Sequence, residues 1–214
     1  MTNFIPIFPL SIVVYPGETL NLHIFEPRYK QLVKECIAEQ KMFGMPCVLD
    51  KRIEEYGTLV EVKELVKEYD NGEMDIRTAG VQIFRVLELV DSIPGKLYSG
   101  AIVNYPANRM ERDDSRISGI ILDELKRLYE LLNIQSKFPL EDMSVVSYQI
   151  AHFVGLSKEE EYELLGVFDE LQRLEYLRKH LNKIIPVVKE LEQVKARVQM
   201  NGHFRNLSLD NLDV

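Results

Sequence analysis

Few residues in this chain stand at spacings that support catalysis or metal binding. Its four histidines, His23, His152, His180 and His203, form no H-x-x-x-H pair, and no cysteine lies near one of them, so no tetrahedral ligand set emerges. Cys36 and Cys47 are eleven residues apart, outside metal or redox spacing, and read as reduced, buried thiols. The eleven glycines never fall at G-x-G spacing, which excludes a dinucleotide fingerprint. Gly95 and Gly100 have the separation of P-loop glycines, but Ala101-Ile102 stand where Lys and Ser or Thr must hold phosphate and Mg²⁺. No serine lies in G-x-S-x-G or S-x-x-K, so no nucleophile has its base placed by the chain. Acid runs such as Glu54-Glu55, Asp113-Asp114 and Glu159-Glu160-Glu161 read as solvated faces, since a general acid needs a carboxyl raised by burial. The expectation is a binding module with no catalytic residue, no metal and no cofactor.

The composition points the same way. The 214 residues are 46% hydrophobic and carry a net charge of −8, enough apolar matter for one large domain or two lobes. Neither half is basic: residues 1–110 hold 12 Lys+Arg against 15 Asp+Glu, and residues 111–214 hold 14 against 19. A nucleic-acid or anionic-membrane surface is therefore disfavoured, because polyphosphate affinity comes from clustered cations. No apolar run is long enough for a membrane span. The first cation is Arg28, and Pro6, Pro9 and Pro16 interrupt what would be a leader's apolar core, so a cytoplasmic location is expected.

The elements that must position any site fall into two regions. Residues 4–105 read as strands separated by turn formers, with 73–79 and 81–90 as separate strands and Asp70-Asn71-Gly72 as the clearest hairpin signal. One amphipathic helix interrupts them at 26–39. Pro27 suits its first position, and Tyr29, Leu32, Val33, Cys36 and Ile37 form its apolar stripe. From about Arg112 the period is helical. Ile117 to Leu132 form one stripe, and Val145, Val146, Ile150, Phe153 and Val154 another. Ser157-Lys158-Glu159-Glu160 is a capping box, Asp169 to Gln172 repeats its logic, and Pro186 predicts a kink in the last helix, which Asn201-Gly202 should stop. A proline and polar residues at 105–113 mark the boundary, giving lobes at 1–108 and 109–200 and an irregular tail at 201–214.

The N-terminal segment is specific enough to resemble a family. Phe8-Pro9-Leu10, then Val13-Val14-Tyr15-Pro16-Gly17-Glu18, then Leu22-His23-Ile24-Phe25-Glu26-Pro27-Arg28-Tyr29 closely resemble the opening of the LON domain, the N-terminal substrate-recognition region of ATP-dependent Lon proteases. The resemblance extends through Gly57-Thr58, Asn71-Gly72, Gly80, Phe84-Arg85-Val86 and Leu156-Ser157. It implies an α+β fold: a PUA-like six-stranded pseudo-barrel with one helix, followed by a C-terminal helical bundle. Within the motif, Pro16-Gly17 reads as a tight turn, and Glu26 and Arg28 as partners of each other or of backbone groups.

These 214 residues contain no ATPase Walker motif and no Ser–Lys peptidase signature, so a non-catalytic role is expected, in a stand-alone protein. The resemblance implies recognition of unfolded or damaged polypeptide, with a separate ATP-dependent protease as a partner for which the chain would act as adaptor. RNA is the alternative ligand, since PUA-like barrels also bind RNA, although the charge weighs against it. A small-molecule or enzymatic role is the third. Tyr105 and Arg109, at the lobe boundary where a crevice is expected, are the first candidates for polypeptide contact, and Tyr15 and His23 the next. Met42 and Met45 offer adaptable apolar contacts.

Overall fold

The structure, a computed structural model, describes residues 2–110, 115–135 and 147–207. Its strands are β1 (Thr2–Pro6), β2 (Thr19–Ile24), β3 (Phe43–Leu49), β4 (Arg52–Glu68), β5 (Met74–Val90) and β6 (Gly100–Asn104). The helices are α1 (Pro27–Glu39), α2 (Ser115–Leu131), α3 (Ser147–Ile150) with a 3₁₀ turn at Ala151–Phe153, α4 (Lys158–Leu165) and α5 (Glu170–Leu207). The strands make one antiparallel sheet in the order β1-β6-β5-β4-β3, with β2 also on β5. Single parallel bridges tie Ile7 and Leu10, in the segment after β1, to Gly44 and Cys47 of β3. That closure without a continuous ladder makes it a pseudo-barrel, the α+β fold expected.

The local chemistry explains these elements. At the β4–β5 hairpin, the Tyr69 N–H donates to the Glu73 carbonyl (2.9 Å), and the Asn71 side chain accepts from the Glu73 N–H (3.0 Å). Pro27 occupies the first turn of α1, and Tyr29, Leu32, Val33 and Cys36 are buried against Phe8, Phe43, Met45, Val60 and Ile76. Ile5, Ile7, Leu59, Phe84, Ala101 and Val103 form a second core cluster, with Tyr105 packed against it. The capping box is complete: the Ser157 hydroxyl accepts from the Glu160 N–H (3.2 Å), and the Glu160 carboxylate accepts from the Ser157 N–H (2.9 Å). Asp169 likewise caps α5 through the Gln172 N–H (3.2 Å).

The structure departs from the sequence expectations in three places. Residues 73–79 and 81–90 are not separate strands; β5 is continuous, and its pairing with β4 shifts register beside Gly80. The Asn201-Gly202 pair does not stop the last helix, because glycine inside a formed helix costs only about 1 kcal/mol; α5 runs to Leu207, with Pro186 inside it. The chain forms two compact units, Met1–Arg112 with Val146–Arg173, and Asp113–Val145 with Leu174–Val214. The helical span 109–200 is thus shared between them. Val145 and Val146 lie outside the described residues, as does 208–214 of the expected tail.

Candidate functional site

In the first unit, the turn at 13–18 is fixed by its own chemistry. Gly17 takes φ +84°, and the Glu18 N–H closes the turn on the Tyr15 carbonyl (3.1 Å), while the Glu18 carboxylate accepts the Tyr15 N–H (2.8 Å). The turn lies on the sheet at Gly80, where a Cβ would stand 2.2 Å from the Tyr15 carbonyl oxygen. Tyr15 is fully buried. Its ring stacks on Tyr148 with centroids 4.9 Å apart, and its hydroxyl donates to the Glu161 carbonyl (2.9 Å). His152 bridges two carboxylates, Glu161 at 2.7 Å and Glu18 at 3.2 Å. Desolvation opposes its charge, but those two acids outweigh it and raise the imidazole to about 9. Tyr15 and His152 therefore secure residues 147–165 to the sheet.

A different surface of this unit carries two clefts. Beside α1 lies a cleft of about 520 Å³ lined by Cys36, Ile37, Gln40 and Lys41 and by β4 residues 61–65. A second cleft, of about 320 Å³, shares Cys36 and Lys41 and adds Phe4, Pro6, Glu35, Ile93 and Tyr98. Phe4 (52%), Ile37 (38%) and Leu65 (40%) are exposed along this surface, and Met42 (37%) directly follows Lys41. The rim is fixed by charge-assisted bonds. Glu35 accepts from Lys96 (2.7 Å) and from the Tyr98 hydroxyl, which holds its carboxyl below the ordinary range. Gln31 donates to the Gly95 carbonyl (3.1 Å) and accepts the Leu97 N–H (2.8 Å), tying residues 95–98 to α1. Burial pushes the Cys36 thiol up to about 11, so it presents no thiolate at neutral pH. Among the described residues no group of three or more His, Cys, Asp or Glu could hold a metal ion. The groove sets exposed apolar side chains among charged ones.

The sequence matches the family model described as the ATP-dependent protease La (LON) substrate-binding domain over residues 5–183, more than four-fifths of the chain. The chain belongs to the LON substrate-binding domain family. A Lon protease of Parabacteroides distasonis is 24% identical over 93% of this chain, which spans about a quarter (26%) of that protein's length. Among solved structures, a Lon N-terminal domain protein from Xanthomonas campestris superposes with a TM-score of 0.62 at 25% identity, covering 83% of this chain and 98% of the other. The N-terminal domain of a Lon protease of the Mycobacterium avium complex has the same TM-score at 13% identity, over 84% and 98%, and shows the shared fold. The pseudo-barrel with its following helices is thus a LON-domain fold.

Within this LON domain, the four candidate residues do not converge. Tyr15 spends its ring and hydroxyl inside the fold, as above. Tyr105 is half-buried against the second core cluster. Arg109 is exposed; its backbone is held by the Phe168 carbonyl (2.8 Å) and by Arg173, which donates to its carbonyl (3.0 Å). His23 is half-exposed, bonded to Asp75 (2.7 Å) and near Glu73 (3.4 Å), and the Asp75 bond raises its pKa. Glu26 and Arg28 pair with each other (2.8 Å). Of the methionines, Met42 is exposed and Met45 is buried in the core. Sequence reading missed Ile37 and Leu65 as surface residues. The usable signals were a five-residue stripe wider than one sheet face covers, and the adjacent pair Leu65-Val66, of which an alternating strand must turn one outward.

Proposed function

We propose that this LON domain binds extended, apolar-rich segments of unfolded or damaged polypeptide in the groove beside α1. The carrying observation is the gathering of Phe4, Ile37 and Leu65 around two adjoining clefts with paired charges at their rims. Native proteins bury such side chains, so a surface that takes them selects for unfolded ones. Family membership supports polypeptide as the ligand class. Paired rim charges and adaptable Met42 favour loose sequence preference, and ordering of a flexible ligand keeps affinity modest. The domain acts by recognition, delivering what it holds to an ATP-dependent protease, and has neither ATPase nor peptidase activity of its own. The test is a titration with a permanently unfolded model protein and its native form, at low and physiological salt. Tighter binding to the unfolded form, insensitive to salt, is expected. Equal binding to both forms, or affinity that collapses with salt, would overturn apolar recognition.

A further inference from the structure

Past Pro186, α5 carries Val187, Leu191, Val194 and Val198 at successive intervals of four, three and four residues, each more than half exposed. At 3.6 residues per turn this spacing puts all four on one face, a strip about 16 Å long. Single exposed valines are ordinary, but a contiguous apolar strip on one helix is a contact surface. The pattern is a heptad: Leu191 and Val198 occupy a positions, Val187 and Val194 d positions, and Glu190 and Arg197 flank them at g.

We propose that this strip is the contact face of a homodimer, in which α5 of a second copy lies antiparallel to it. The register sets Val187 against the partner's Val198 and Leu191 against the partner's Val194, about a two-fold between Glu192 and Gln193. Two observations select this occupant. Every strip residue meets an apolar partner when the face is turned on itself, as a two-fold contact requires. The same register brings Glu190 beside the partner's Arg197, and symmetry repeats that pairing of opposite charges. A parallel arrangement would instead stack Val187 and Val194 on their own copies at d, where β-branched residues disfavour two strands. Ion pairs do not separate the two directions, since parallel helices would set Glu190 beside the partner's Lys195; the packing at d does.

Sedimentation equilibrium of the full chain from about 1 to about 500 µM tests this, with folding checked by circular dichroism. A reversible monomer–dimer equilibrium is expected, weakened at least about 100-fold by Leu191→Glu. Glu190→Arg should weaken it about 10-fold by facing the partner's Arg197, and adding Arg197→Glu should restore it. A parent that stays monomeric throughout, or a dimer untouched by Leu191→Glu, overturns the face. Rescue of Glu190→Arg by Lys195→Glu instead of Arg197→Glu overturns the antiparallel register, since only parallel helices pair positions 190 and 195. Polypeptide binding at the α1 groove has no part in the readout.

Discussion

Replacing Arg173 with methionine removes a guanidinium that is wholly inside the fold. The side chain is fully buried, and all three of its nitrogens donate: to Ser147 (2.9 Å), Asn108 (2.8 Å), the Val167 carbonyl (2.7 Å), the Arg109 carbonyl (3.0 Å) and the Glu170 carboxylate (2.7 Å). It also lies over the Tyr148 ring, 4.3 Å from the centroid. This one residue joins the chain leaving β6, the chain returning at α3 and the start of α5. In Arg173→Met, Glu170 keeps, among the described residues, the Ser147 N–H (2.8 Å) and hydroxyl (2.6 Å), and a carboxylate that is 1% exposed loses the Arg173 charge. Breaking one side of a buried pair costs about 3–5 kcal/mol, whereas an exposed pair is worth at most about 1. With a urea m-value of about 2–3 kcal/mol/M, the midpoint should fall by about 1–2.5 M. The double variant Glu170→Leu/Arg173→Met removes both charges and should recover at least about 2 kcal/mol of the loss. Urea unfolding followed by circular dichroism checks both. A single variant within about 1 kcal/mol of the parent, or a double variant no better than the single, would refute the reasoning.

Gly80→Ala drives a Cβ against the Tyr15 carbonyl oxygen at 2.2 Å and should destabilise by about 2–3 kcal/mol in the same assay. Because His152 is raised to about 9 in the folded protein, its contribution is fully present below the unfolded value of about 6.5 and is lost as pH climbs through 9. Stability should therefore drop by about 3 kcal/mol between pH 6.5 and 9.5, and His152→Gln should flatten that slope in urea titrations across the range. Burial pushes both Cys36 and Cys47 up to about 11, so iodoacetamide should modify neither at neutral pH in the native protein and both on unfolding, as mass spectrometry would record.

The features legible in the sequence were those whose partners lie close along the chain. Pro27 at a helix start removes a donor that would go unpaired, and the Ser157–Glu160 box and the Asn71-Gly72 hairpin satisfy backbone groups within a few residues. Long-range partners left no such trace. Nothing near Tyr15 announces its stack on Tyr148, and Arg173 reads as one more helical cation until Asn108, Ser147 and Glu170 surround it. Gly80 looked like a break between strands, because a glycine placed for close backbone approach and one placed for a turn are written alike. The groove was hidden for a related reason: Ile37 belongs to the α1 stripe by spacing, and only the sheet's extent decides that it stays uncovered.

The central claim, that the α1 groove receives extended polypeptide, is tested most directly by mapping the contact residue by residue. Isotope-labelled LON domain titrated with an unfolded, apolar-rich peptide should show its largest amide and methyl shifts at Phe4, Ile37, Met42 and Leu65. Ile37→Asp/Leu65→Asp, two changes at exposed positions, should weaken binding at least about 10-fold with the fold intact. Shifts confined to other surfaces, such as the His23 end of β2, together with parent-like affinity in that double variant, would contradict the account.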